Sequence, residues 1–284
     1  MKTPKRLQPL VDEGMIDEVL SQLMSGKEAT VYVVRCGDEI RCAKMYKEAG
    51  QRSFKQAAAY QEGRTVKNSR QARAMQKGSK YGRKMQEEVW QNAEVDALFK
   101  LADAGVRVPT PYICFEGVLL MDLVSTEDGQ VAPRLNDVNL SYAQALVYHE
   151  ELIQQVVLML CAGIVHGDLS EFNILLNEQG PVIIDLPQAI NAAGNMGAAS
   201  MLYRDVDNLK NYFSQFAPEL AKTQYGKEIW GLYTAGLLRP ETVLTGIVAE
   251  DKRPVDVGAV IEEIELARLE AEAEVQRRLM NSAM

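Results

Sequence analysis

One stretch limits the fold more than any other. His166-Gly167-Asp168-Leu169-Ser170-Glu171-Phe172-Asn173 places an imidazole, two acids and an amide within eight residues. Strand-forming residues follow at once, Ile174-Leu175-Leu176, and then the turn Asn177-Glu178-Gln179-Gly180-Pro181. A second apolar run, Val182-Ile183-Ile184, ends in Asp185. Two apolar runs around a turn of Asn, Gly and Pro read as a β-hairpin. A polar loop enters it, and a carboxylate ends it.

This layout resembles the protein-kinase catalytic loop, in which a His, an Asp and an Asn five residues later precede a hairpin and a second Asp. Phosphoryl transfer from ATP needs a carboxylate to orient a hydroxyl and accept its proton, and oxygen ligands for the magnesium that bridges the phosphates. Asp168 is the candidate for the first task, and Asn173 and Asp185 for the second. The competing reading is a buried, structural Asp and His. The full spacing, rather than His-Gly-Asp alone, favours the kinase-like site.

Composition sets the outer bounds. A chain of 284 residues, 47% hydrophobic and 25% charged, has room for one large domain or two modest lobes. No apolar run approaches the roughly 18 residues of a membrane span. The basic start, Met1 to Arg6, is not followed by an apolar signal core, so a cytoplasmic protein without membrane contact is expected. Cys36, Cys42, Cys114 and Cys161 show no C-x-x-C spacing and read as reduced, mostly buried small hydrophobes. With His149 and His166 the only histidines, no zinc site is expected.

In chain order, Leu10, Ile16, Leu20 and Leu23 have helical spacing, which predicts a helix or two within 7–24. Ser25-Gly26-Lys27-Glu28-Ala29 then leads as a glycine turn into a β-branched strand. Cys36-Gly37-Asp38-Glu39 is a hairpin turn, and Ile40 to Tyr46 is the return strand carrying Lys44. In an ATP site such a first turn covers the phosphates and the Lys neutralises them. The turn is neither G-x-G-x-x-G nor a Walker motif, and Lys44 taken alone also reads as a surface lysine.

Residues 51–86 carry ten Lys or Arg against the single acid Glu62, a charge of +9; with −8 overall, the remainder carries −17. This insertion reads either as a solvated linker or as a polyanion-binding arm. Glu87 to Ala104 predicts a helix stopped by Gly105. Glu94 lies on its apolar face, where an acid wants a cation, and Lys44 is the natural partner. Tyr112 to Phe115 and Val118 to Val124 predict a second hairpin, with Ser125 to Pro133 as the boundary between lobes.

Ser141 to Ala162 is strongly helical, with Ser141 as N-cap and Gly163 as stop. His149 within it reads as a helix-surface or packed residue. Asn191 to Ala199 reads as a loop and Ser200 to Phe216 as a helix. Arg204 and Asp205 read either as an anchor to the catalytic loop or as a surface pair. Helical stretches near 218–237 and 256–281 follow, the last with Val257, Val260, Ile261, Ile264, Ala267, Ala271 and Val275 on one face.

From Leu10 to Phe216 these residues resemble the RIO kinases, and within them the archaeal and eukaryotic-type first branch and its shorter bacterial relatives. The resemblance rests on Ser25-Gly26-Lys27-Glu28-Ala29, Trp90 with Glu94, Ala104-Gly105-Val106 with Pro109 and Pro111, the His166 to Asn173 string, Ile184-Asp185-Leu186-Pro187-Gln188, and Tyr203-Arg204-Asp205-Val206. It implies an α+β, bilobal, kinase-like fold: a small, mainly antiparallel sheet lobe with one key helix, and a helical lobe. It implies that the usual activation segment and later substrate-binding helices are absent. It implies ATP, Mg2+ or Mn2+, serine autophosphorylation, and in many members an ATPase role in small-ribosomal-subunit maturation.

Carried over by position, Lys44 and Glu94 form the ion pair, Asp168 accepts the proton, and Asn173 and Asp185 bind metal. In this family the residue matching Asp185 can itself be phosphorylated. Ser25, Gly26, Lys27 and Glu28 in the turn, and Met121, Asp122 and Val124 in the connector, complete the nucleotide site. The implied division is an N-terminal helical segment 1–24, an N-lobe 25–124, a C-lobe 125–240 and a helical extension 241–284. Three departures are Asp185-Leu186-Pro187-Gln188, where Asp-Val-Ser-Gln is usual, a basic insertion longer than expected, and a following loop without His-Pro.

The expected function is an ATP- and magnesium-dependent atypical serine/threonine protein kinase. One rival is an aminoglycoside- or choline-type phosphotransferase, which shares the His-Gly-Asp loop. The lack of acceptor-pocket helices and the basic arm argue against it. The other is an ATPase assembly switch on ribosomal RNA, which needs the same site. Expected partners are ATP, a protein substrate, and RNA or a ribosomal particle through 51–86, where Ser53, Ser69 and Ser79 are candidate phosphoacceptors.

Overall fold

The computed structural model describes residues 1–26, 29–47 and 93–248. The expectations for Lys27, Glu28, Trp90, the basic segment 51–86 and the apolar face at 256–281 lie outside the described residues. Pro9 starts a short helix α1 (Gln8–Asp12), which buries Leu10. Five antiparallel strands follow: β1 (Glu18–Ser25), β2 (Ala29–Cys36), β3 (Glu39–Tyr46), β4 (Pro111–Phe115) and β5 (Val118–Asp122). Their order is β1-β2-β3-β5-β4.

Helix α1 bears out the helical reading of 7–24 in part, and strand β1 corrects it from Glu18 onward. Only Val19 of this strand is buried, and register shifts at Val19/Ser21 and Gln22/Met24 break the alternation that marks a strand. The leucines left at helical spacing are incidental. Pairing with the β-branched run of β2 overrides the local pattern.

The two faces of the sheet do different work. On the outer face Tyr32, Val34, Ala43, Val118 and Leu120 pack against Leu7 and Leu10. On the other, Tyr46 and Leu119 join the main core with Val95, Leu98 and Leu101 of helix α2, residues 93–103. Gly105 ends α2 at φ +76°, with Val106 N–H donating to Leu101 and Gly105 N–H to Ala102. This closing pattern requires a left-handed residue, which glycine supplies without strain.

In the helical lobe α3 (Tyr142–Cys161) starts at Ser141, whose side chain caps Gln144 N–H while Gln144 reaches back. It packs with α4 (Ala198–Phe213) and α5 (Tyr225–Thr234). Strands β6 (Ile164–Val165) and β9 (Ile190–Asn191) pair, as do β7 (Ile174–Asn177) and β8 (Gly180–Ile183). The glycine- and alanine-rich stretch expected as a loop, Asn191 to Ala199, takes in the end of β9, a 3-10 turn, Ala192–Gly194, and the start of α4. Of the cysteines only Cys42 is buried; Cys114 and Cys161 are exposed, contrary to expectation. Among the described residues no helix is long and apolar enough to cross a membrane.

His149 is packed rather than surface-lying, 2% exposed between Phe213 and Tyr225, with Nε2 lacking a partner among the described residues. Burial pushes its pKa down to about 4. Between that value and 6.5 the unfolded chain binds a proton that the folded chain refuses. Stability from this site is therefore present above pH 6.5 and falls as pH drops through the window, by on the order of 3 kcal/mol. Asp205, raised to about 6, contributes with the opposite sign between 3.8 and 6. Subtracting the denaturant-unfolding pH profile of His149→Leu from that of the wild type cancels Asp205 and isolates the acid-side slope. Superimposable slopes below pH 6.5 would remove the assignment.

Candidate active site

The β7–β8 hairpin sets the spacing of the site. Ile174 pairs with Ile183, so Ile184 N–H reaches Asn173 O at 2.9 Å and Asp185 emerges beside Asn173. Asp185 sits at φ +66°, a left-handed conformation that Asp tolerates better than most residues. One turn of chain before the hairpin, Asn173 Nδ2 donates to Asp168 O at 2.8 Å. This leaves Asn173 Oδ1 as an acceptor. The Asp168 carboxylate is exposed to solvent.

His166 is buried beneath this loop. Its Nδ1 accepts from Asp168 N–H at 3.3 Å and its Nε2 lies 3.2 Å from Ile184 O, the pattern of a ring with its proton on Nε2. The imidazole thereby ties the Asp168 backbone to the strand leading into Asp185.

From the sheet side, β3 presents Lys44 and α2 presents Glu94. Lys44 Nζ lies 2.6 Å from Glu94 Oε1 and 3.0 Å from Asp185 Oδ1. The side chains of Lys44 and Glu94 are 13% and 7% exposed, that of Asp185 48%. Burial by itself lowers the Lys44 pKa, but Glu94 and Asp185 outweigh it and hold the ammonium well above the usual lysine value. Burial likewise pushes Asp185 up, and Lys44, with His166 and Arg134, brings it below the usual carboxylate range. The pair expected across the small lobe is therefore a three-residue bridge that also reaches the end of the hairpin.

Arg204 and Asp205 are an anchor and not a surface pair. Asp205, 1% exposed, accepts from Gly167 N–H at 2.7 Å and Leu169 N–H at 3.0 Å. Arg204 donates to Gly167 O. Burial lifts the Asp205 carboxyl to about 6 against the pull of His166 and the two N–H groups. Asn208, which the sequence reading missed, donates to Leu169 O at 2.9 Å. Its position three residues after Asp205, one helical turn away, was the available signal.

The turn and connector are less uniform. Ser25 Oγ is engaged by Thr30 and Lys47, and Gly26 O by Lys47. Met121 pairs with Cys42 at the end of β5. The Asp122 side chain accepts from Tyr112 Oη, whose ring stacks under Arg41 with the guanidinium 3.7 Å from its centroid. The Asp122 side chain is thus engaged, and its N–H donates to Thr110 O at 2.9 Å. Val124 is buried with Ala132 and Val182 against Leu175, two residues beyond Asn173. Asn173 Oδ1 and the Asp185 carboxylate are hard oxygen donors of the kind magnesium takes alongside phosphates and water. Lys44 supplies a fixed positive charge beside them.

Residues 30–225 match the family model described as RIO domain. The chain is 32% identical over 205 residues to the RIO-type serine/threonine-protein kinase Rio1 of Haloferax volcanii, covering 72% of this chain and 66% of that protein. It is 31% identical over 214 residues to the human serine/threonine-protein kinase RIO1, covering 75% of this chain and 36% of the human protein. For the Dictyostelium discoideum serine/threonine-protein kinase rio1 the values are 29%, 75% and 36%. The chain thus spans less than two thirds of the length of each. With the domain match covering most of the described residues and the lysine–glutamate–aspartate bridge standing over the His166 to Asn173 loop, the chain belongs to the RIO family of atypical kinases.

Proposed function

We propose that the chain is an ATP- and Mg2+-dependent serine/threonine protein kinase and ATPase of the RIO type. Membership of a kinase family implies ATP and a divalent metal. The observation that carries the reading is the Lys44 ammonium held between Glu94 and Asp185 beside the Asp168–Asn173 loop. Such a charge neutralises ATP phosphates, and Asn173 and Asp185 would hold Mg2+ or Mn2+, which would supply further positive charge to them. Asp168 orients a serine hydroxyl and takes its proton as the serine oxygen bonds to the γ-phosphorus. The bond from that phosphorus to the bridging oxygen breaks, and ADP leaves with the electron pair. When water replaces the serine, the same steps are ATP hydrolysis.

In this reading the turn at Ser25 to Glu28 covers the phosphates, and Met121, the Asp122 backbone and Val124 border the base. Residues 25–124 and 125–240 are the two lobes, and 241–284 an extension. The compartment is the cytoplasm. Incubation with γ-labelled ATP tests the chemistry. Label on serine supports the kinase, label on Asp185 or in free phosphate supports the ATPase, and no transfer or release in the presence of Mg2+ overturns both.

The +9 charge of residues 51–86 supports RNA or a ribosomal particle as a partner of this segment. RNA affinity of the full chain should fall with salt at a log–log slope of about −0.7 per neutralised phosphate on single strands. Deleting residues 55–84 should flatten that dependence, and an unchanged RNA affinity removes the partner.

A further inference from the structure

The segment between α2 and β4 is tied to the helical lobe through one residue that the chemistry above does not use. Arg107 N–H donates to Gln155 Oε1 of α3 at 2.7 Å. Its carbonyl accepts from Ile183 N–H, at the end of β8, at 2.8 Å. Its guanidinium forks over the β7–β8 turn, with Nη1 donating to Gln179 O and Nη2 to Asn177 Oδ1, the latter at 3.2 Å.

The turn is shaped to receive that fork. Gly180 sits at φ +112°, a conformation that glycine adopts without strain, and a Cβ there would lie 2.8 Å from Arg107 Nη1 and 2.6 Å from Glu151 Oε2. That carboxylate oxygen is buried without a hydrogen-bond partner among the described residues, and it faces the guanidinium across Gly180 as a countercharge.

Both carboxylates of the Lys44 bridge lead back to Arg107. Glu94 stands on α2, which closes with Val106 N–H on Leu101 O at 3.0 Å, one residue before Arg107. Asp185 lies two residues past Ile183, whose N–H the Arg107 carbonyl holds. The ammonium is shared only while the two carboxylates stay 2.6 Å and 3.0 Å from it, so the direction of the hairpin relative to α2 matters. One hydrogen bond at Ile183 is a hinge. The guanidinium adds a second attachment at the turn, the other end of the hairpin, and two points fix a direction.

We propose that Arg107 is a positioning residue whose guanidinium locks the β7–β8 hairpin at a fixed angle to α2, so that Glu94 and Asp185 meet at one ammonium. The inference rests on the ATP-dependent reading above and adds to it a residue at the turn end of the hairpin, away from Asn173 and Asp185.

The test is steady-state transfer and release of γ-labelled phosphate by the full chain, for wild type, Arg107→Met and Arg107→Lys, each with and without Glu94→Gln, together with amide hydrogen exchange in nucleotide-free protein. Arg107→Met is expected to lower kcat about tenfold, the worth of one charge-assisted hydrogen bond, with KM for ATP within about twofold of wild type. Glu94→Gln should cost about threefold less in Arg107→Met than in wild type, because the bridge it breaks is already misaligned. A purely structural contribution would leave that cost the same. Arg107→Lys brings one ammonium to two acceptors and should recover part of kcat. Exchange should quicken at Ile183 and Gln179 while α3 and α4 keep wild-type rates. Wild-type kcat in Arg107→Met, a rise in KM in place of the fall in kcat, equal Glu94→Gln losses in both backgrounds, or unchanged exchange at Ile183 overturns the lock. Should Arg107→Met fail to fold, Asn177→Ala, which removes one acceptor, must lower kcat by a smaller factor with the same coupling to Glu94, or the lock falls. A wild type that neither transfers nor releases label overturns the ATP reading itself, and exchange at Ile183 then decides the lock alone.

Discussion

Replacing Asp168 by Asn is expected to reduce phosphoryl transfer by about 10²–10⁴-fold, the usual contribution of a placed general base. MgATP affinity should stay close to wild type. Asp168 is exposed, and its hydrogen bonds within the loop run through its backbone: its N–H to His166, and its carbonyl from Asn173. An amide of the same shape leaves those bonds and the buried Asp205 anchor in place. The loss should therefore fall on kcat, with KM for ATP little changed. Single-turnover transfer of labelled phosphate, alongside a direct binding titration, measures both. A variant that turns over at the wild-type rate would refute the role of Asp168, and one that loses ATP binding would make it a structural residue.

The second large effect belongs to Lys44 and Glu94. Lys44→Met should cut ATP turnover by about 10²–10³-fold, the usual result of removing a fixed charge from a water-poor site. Glu94→Gln should do part of the same damage. It removes the nearer of the two carboxylates at Lys44 Nζ, 2.6 Å against 3.0 Å, and leaves the ammonium drawn to Asp185 alone. In the proposed reading Asp185 would then be occupied as an ion-pair partner when it is needed as a metal ligand. In a double-mutant cycle the two changes should couple by about 0.5–3 kcal/mol, the range for residues in direct contact. Additive losses would show that the two residues act separately and that their proximity has no catalytic meaning.

Much of this site was legible in the sequence because its parts are close in the chain or carry a strong local signal. His166, Asp168, Asn173 and Asp185 span a loop and one hairpin, so spacing alone places them together. The cap at Ser141, the glycine stops at Gly105 and Gly163, and the turn at Cys36–Glu39 follow from the same kind of short-range chemistry. Glu94 was legible for a different reason. An acid on an apolar helix face needs a buried cation, and Lys44 was the one at hand.

What was not legible depends on partners distant in sequence or on broken periodicity. Strand β1 carries two register shifts, so its buried positions do not alternate and its leucines fell into helical spacing by accident. The side-chain partners of Ser25 and Asp122, Lys47 and Tyr112, are 22 and 10 residues away and carry no spacing signal. Whether Arg204 and Asp205 lay on the surface could not be settled until α4 was packed on the catalytic loop, some 36 residues away for the Asp205–Leu169 bond. The sequence by itself determined the chemistry of the loop, the hairpin and the caps, since these are set by residue type and spacing over a few bonds. Only the tertiary structure decided that Lys44 is shared between Glu94 and Asp185, 50 and 141 residues away, because the direction of a charged side chain is chosen by whichever opposite charge the fold brings within reach while excluding water.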